Sequence, residues 1–232
     1  MSNRTPRSIK SIVRRGYEVK VIQYLSNGLD IFVQNSLDFI VFSLIIVAAR
    51  LAIPYAGVVI IPQLKAGLTI SALKSVKQQA ISRKDFFAGF SMFFSLLLAG
   101  WLTSIFIIIG FVLLIIPGIY LVVSYIFTVP LIVERKLDFW EAMESSRTIV
   151  SKQWFSMFGF SLVLGLINFV GLLFSGLLIV SFLDSALLIR VVGVLLGLIV
   201  VAITTSWSEC CIVAAYQDIV GFLPSSENSY RA

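Results

Sequence analysis

Five side chains that water normally solvates fall within the long apolar stretches of this chain: Arg50, Lys65, Asn168, Arg190 and Glu209. A charge at the centre of a bilayer costs at least ~2.5–3.5 kcal/mol on insertion scales. Each such group must reach the interface along its own stem or find a partner. Arg50 and Arg190 lie near the ends of apolar stretches and can snorkel, with Asp184 as a partner for either. Lys65 and Glu209 lie deeper. Three readings are open to them: an ion pair across two spans or snorkelling to the interface; together with Asn168, the lining of a path for a solute or ion; or a span boundary that leaves them outside the apolar core.

Other chemistry is scarce. The chain has no histidine, which removes the commonest general base and transition-metal ligand. Cys210 and Cys211 are adjacent within an apolar segment. Neighbouring cysteines rarely suit disulfide geometry, so they read as two small buried side chains. No nucleophile–base pair, phosphate loop or metal cluster can be assembled. No catalytic, cofactor-binding or metal-ligating residue is assigned, no cofactor is called for, and no enzyme activity is expected.

The elements that must hold these groups are membrane spans. Of 232 residues, 59% are hydrophobic and 13% charged, against about 25% charged in a soluble domain. Mean hydropathy is +1.00. The first 30 or so residues lack a compact apolar core followed by a small-residue cleavage site, so no cleavable signal is expected. No Asp, Glu, Lys or Arg occurs from Phe86 to Val133. A span needs ~20 apolar residues, so that stretch accommodates two, Phe90–Ile115 and Ile119–Val133. Pro117-Gly118 is the expected turn between them, since proline lacks an N–H and glycine tolerates positive φ.

The first span is expected over Asp38–Ile53, with Pro54-Tyr55-Ala56-Gly57 as its turn. The second, the weakest in apolarity, runs from Val58 to Lys74 and is interrupted by Pro62 and Lys65. The fifth covers Trp154–Val180, with a turn over 182–189. The sixth runs from Arg190 to about Ile212 and trails to Gly221. The fold class is therefore an all-α integral membrane bundle of six spans with interfacial amphipathic helices. Residues 1–37 form a basic arm and interfacial helices, 38–221 the bundle, and 222–232 a tail.

In the arm, Arg4, Arg7, Lys10, Arg14 and Arg15 suit anionic lipid headgroups, at roughly 1 kcal/mol per charge near the surface. Tyr17, Val21, Tyr24 and Leu25 repeat at helical spacing, with Asn27-Gly28 ending that helix. A second short piece, Ile31–Leu37, leads into the membrane. Residues 138–151 form another interfacial helix, with Asp138 and Glu141 spaced as a capping box. Glu134, Asp138, Glu141 and Glu144 alternate with basic residues as on a solvated face.

Of the 18 Lys and Arg, all but Arg50, Lys65 and Arg190 fall in the arm, the 74–85 and 134–152 connectors and the tail. The positive-inside rule then places both termini in the cytoplasm. Topology alone explains the charge, so no nucleic acid is expected. Lys84-Asp85-Phe86-Phe87-Ala88-Gly89-Phe90 is similar to Lys152-Gln153-Trp154-Phe155-Ser156-Met157-Phe158. Either an interfacial aromatic belt or a repeat of three parallel hairpins accounts for that. Gly159, Gly165, Gly171 and Gly176 suit close helix packing. The Gly193–Gly197 pair suits a contact inside the bundle or a homodimer face.

A family resemblance rests on Gly67, Phe86-Phe87-Ala88-Gly89-Phe90, Leu113 to Tyr120, Pro130 to Glu134, Glu141 to Arg147, Trp154 and the closing Ala215-Tyr216-Gln217-Asp218. These resemble the DUF975 and YciC-like prokaryotic membrane proteins, and the membrane domain found beside some glycerophosphodiester phosphodiesterases. The resemblance implies a six-span bundle in a bacterial plasma membrane and brings no established activity. The first functional expectation is a non-enzymatic scaffold or accessory subunit. It would meet membrane lipids and a membrane-protein complex or a second copy of itself. The alternative is a permease for a small solute or lipid, using Lys65, Glu209 and Asn168. The two part on whether those three side chains converge inside the bundle.

Overall fold

A computed structural model describes residues 9, 12, 14, 16–52, 54–182 and 187–222. Its elements are α1 (Val21–Gln34), α2 (Ser36–Ala52), α3 (Pro54–Val76), a 3-10 turn (Asp85–Met92), α4 (Phe93–Leu113), α5 (Ile115–Ser124), α6 (Thr128–Arg135), α7 (Phe139–Val150), a short 3-10 turn (Ser151–Gln153), α8 (Trp154–Ser181) and α9 (Leu187–Ile219). The described residues contain no strand. Among them, four helical stretches are long and apolar enough to cross a membrane: Asp85–Leu113, Ile115–Arg135, Phe139–Ser181 and Leu187–Ile219. A fifth arises if α1 and α2, bent by 94° at their junction, count together.

Proline explains three of the helix boundaries, though not always at its own position, while Pro62, expected to interrupt its span, is carried inside α3. A proline ring clashes with the carbonyl four residues before it. For Pro117 that residue is Leu113, where α4 ends; Leu114 is extended and α5 begins at Ile115. Pro117-Gly118 is therefore not the turn but part of the first turns of the next helix, where a missing N–H costs nothing. Gly118 packs instead: a Cβ there would run into the Phe111 ring, and Gly110 opposes its backbone. Pro54 likewise opens α3, which corrects the turn expected over 54–57. Pro130 acts on Ile126 and splits the expected fourth span at 125–127 into α5 and α6.

That split leaves polar backbone exposed in an apolar interior, and α7 covers it. Ser146 Oγ donates to the Ser124 carbonyl (2.7 Å) and accepts from the Phe127 amide (3.1 Å). The 138–151 segment is thus held in the bundle along one face, burying Ala142, Met143, Ser146, Ile149 and Val150. Asp138 occupies the N-cap position, but its side chain makes no capping hydrogen bond, so the capping box does not form.

Helix α1 also departs from expectation. It runs straight through Asn27-Gly28 and bends only at Asn35. Gly28 continues the helix because it is needed for contact: a Cβ there would overlap Cys211 of α9. A second interlock joins α3 to the 3-10 turn. Side chains at Gly67 or Gly89 would overlap the carbonyls of Phe86 and Gln63 respectively.

The packing is inverted relative to apolarity. The middle of α3, the least apolar of the expected spans, is surrounded, with Gln63, Ala66, Leu68, Thr69, Ser71 and Ala72 buried. The uniformly apolar α4 and α8 expose Phe94, Ile108, Val112, Phe155, Phe169 and Val170. Among the span-five glycines only Gly171 meets another helix, at Thr204; Gly159, Gly165 and Gly176 face open space. Gly193 and Gly197 pack against Phe182, Ser175 and Ile179 of the same chain, which is the contact inside the bundle.

Candidate functional site: a polar cavity between the helices

Lys65 stands midway along α3, Glu209 in the second half of α9, Asn168 at the centre of α8 and Arg50 near the end of α2. All four line one cavity of about 320 Å³. Ser161, Thr205 and Ser208 add hydroxyls, and Val122, Ile126, Leu164, Gly165 and Ile212 form the apolar wall. Ile126 comes from the break between α5 and α6. Irregular backbone at such a depth is tolerated where it is buried in protein or lines a cavity.

Lys65 Nζ lies 3.3 Å from Glu209 Oε1. The pair is partly open, the lysine side chain being 43% and the glutamate 15% exposed. Asn168 Nδ2 donates to the Leu164 carbonyl (2.8 Å) and to Ser208 Oγ (2.7 Å), which fixes the amide. Ser161 Oγ is buried with no hydrogen-bond partner. Arg50 is exposed and, among the described residues, forms no ion pair. Two cations thus face one carboxylate. Such a site can bind and orient a polar group. Among the described residues no group of three His, Cys, Asp or Glu could hold a metal.

A second charged group sits at the end of the bundle where the connectors meet. Glu134 and Arg135 are buried, 4% and 7% exposed, which corrects the solvated face expected for Glu134. Lys77 Nζ lies 3.3 Å from Glu134 Oε1 and stands over the Phe222 ring. The Tyr216 hydroxyl donates to Glu134 Oε2 (3.4 Å), and Arg135 Nη2 donates to the Val220 carbonyl (3.3 Å). Beside them Tyr24 donates to Asp218 (3.0 Å), and Tyr17 donates to the Ile149 carbonyl (3.0 Å). Burial pushes the Tyr17 phenol above its ordinary pKa. Asp138, Glu141 and Glu144 are exposed as expected. Of the residues assigned to lipid headgroups, Arg14 is exposed, while Arg4, Arg7, Lys10 and Arg15 lie outside the described residues.

The cavity brings together Lys65, Glu209 and Asn168. Sequence reasoning missed Arg50, Ser161, Thr205 and Ser208 as its members. Thr205, Ser208, Glu209 and Ile212 recur at three- and four-residue spacing, a partly polar stripe on an otherwise apolar helix. That signal was legible. The place of Arg50 was not, because it depends on how α2 crosses α3. No family model, curated protein or solved structure matches the chain.

Proposed function

We propose that this chain is a six-span membrane protein that binds a small polar solute or lipid headgroup within its bundle, as a permease does. The six spans would be the bent α1–α2 pair, α3, Asp85–Leu113, Ile115–Arg135, Trp154–Ser181 and Leu187–Ile219. The charge distribution supports cytoplasmic termini, and the motif resemblance a bacterial plasma membrane. The single observation carrying the reading is the convergence of Lys65, Glu209 and Asn168 on one cavity. A purely structural ion pair would not need the unfilled volume, the unpartnered Ser161 hydroxyl or a helix broken beside it.

The accessory-subunit reading draws on a different surface. Gly159 and Gly176 leave parts of α8 open to another helix. Purification from native membranes in mild detergent, followed by mass spectrometry of everything that co-elutes, separates the two. A small molecule or lipid present in the native chain and lost on Lys65→Ala or Asn168→Ala supports the cavity. A stoichiometric protein partner, unaffected by those substitutions, overturns it in favour of the accessory role.

A further inference from the structure

We propose that the cavity selects an oxyanion, a carboxylate or phosphate group, and that Arg50 is the residue that holds it; this rests on the cavity being a binding site. The argument begins with charge. Arg50 and Lys65 contribute two positive charges and Glu209 one negative, so the described lining carries one net positive charge. Glu209 is engaged by Lys65 at 3.3 Å, while Arg50 meets no carboxylate among the described residues. Arg50 is therefore a cation without a carboxylate partner among the described residues, on a lining it shares with Val122, Leu164 and Ile212, and an incoming anion supplies that partner.

Guanidinium geometry narrows the ligand further. Arginine presents a planar fork of donors that matches the paired oxygens of carboxylate and phosphate. The neutral groups around it agree. The Ser161 hydroxyl is buried without a partner, and Thr205 lies on the same wall. Both can donate to oxyanion oxygens. Lys65 keeps Glu209 neutralised, so the carboxylate does not repel the ligand. A cationic substrate would instead meet two like charges and a glutamate already occupied.

The test is a charge-selective thiol reaction on the full-length protein reconstituted in phosphatidylcholine liposomes. Ser161→Cys places a thiol on the cavity wall, and Thr205→Cys does so from another helix should the first variant fail to fold. Cys210 and Cys211 are buried, so the parent chain is the blank. Each variant is treated with an anionic sulfonate and a cationic ammonium methanethiosulfonate, and both rates are normalised to a free thiol.

The expected result is faster reaction with the anionic reagent and a fall in the anion-to-cation ratio of about tenfold on Arg50→Gln. A preference for the cationic reagent, or a ratio that Arg50→Gln leaves unchanged, overturns the anion assignment while leaving a cavity site standing. No reaction with either reagent at either position overturns the cavity reading itself. Inorganic phosphate and phosphatidylglycerol mixed into the liposomes are then tried as protectants. Protection by phosphate supports a free oxyanion solute, and protection by phosphatidylglycerol alone supports a lipid headgroup. Protection by neither overturns the assignment.

Discussion

Among the described residues two lysine–glutamate pairs have the same length. Lys65–Glu209 and Lys77–Glu134 both measure 3.3 Å, yet the side chain of Glu209 is 15% exposed and that of Glu134 only 1%. Glu134 is saturated by Lys77, Tyr216 and the neighbouring Arg135, with Phe222 closing over the lysine. Glu209 has Lys65 on one side and open volume on the other. A saturated buried charge ties elements together; an unsaturated one beside a cavity can exchange partners. The Lys77–Glu134 pair joins the residue after α3, the end of α6 and, through Tyr216, the end of α9. The Lys65–Glu209 pair leaves room for a ligand.

The largest effect that could break this comparison is at Glu134. Glu134→Ala strands Lys77 and Arg135 without their carboxylate and is expected to cost about 3–5 kcal/mol, measured by unfolding in detergent. If it costs no more than Glu209→Ala, the two sites do not differ in kind. Gly67→Ala comes next. Its Cβ would overlap the Phe86 carbonyl, so α3 must move off the 3-10 turn, at about 1–3 kcal/mol and with a lower unfolding temperature.

Ser146→Ala follows, leaving the Ser124 carbonyl and the Phe127 amide unpaired at the α5–α6 break, for about 1–3 kcal/mol. Exchange of the Phe127 amide with deuterium should rise with it. Glu209→Gln sharpens the contrast from the other side. Stability is expected to change by about 1 kcal/mol or less, because the pair is partly open. A co-purifying oxyanion, by contrast, should be retained or rise, because Lys65 loses its carboxylate and is freed to meet the ligand. Glu144→Ala, which removes an exposed pair with Arg147, should change stability by less than about 0.5 kcal/mol in the same unfolding assay.

What could be read from the chain follows from what depends on local pattern. Long charge-free stretches announced apolar helices, and the residues stranded within them announced the cavity. Lys65, Glu209 and Asn168 were visible because ionised or amide groups are costly in apolar surroundings wherever they end up. Arg50 was assigned to snorkelling, since nearness to a helix end is all that one dimension shows. Glu134 was assigned to a solvated face because it belongs to a run of alternating charges. Its burial depends on Tyr216 and Lys77, far away in sequence.

The prolines mark the same divide. Composition located the break before the fourth span within a few residues, but proline acts on the carbonyl four positions earlier, so the turn fell at Leu114, and the split at 125–127 within the span was not foreseen. Glycine misled in the opposite direction. Gly28 and Gly118 read as chain terminators or turns, whereas their missing side chains admit Cys211 and Phe111.

Helicity, the course of the apolar helices and the polar groups that needed an explanation all follow from local pattern. Helical hydrogen bonds are local, and the cost of a polar group in an apolar medium belongs to the group itself. Which helix is central follows from packing alone. The middle of α3 is surrounded by protein and therefore tolerates Gln63, Thr69 and Ser71, while the more apolar α4 and α8 turn broad faces outward. Packing also decides which charges close on one another and which remain open. Those outcomes depend on helix crossings set by missing side chains at Gly28, Gly67 and Gly89, contacts between residues that no local pattern pairs.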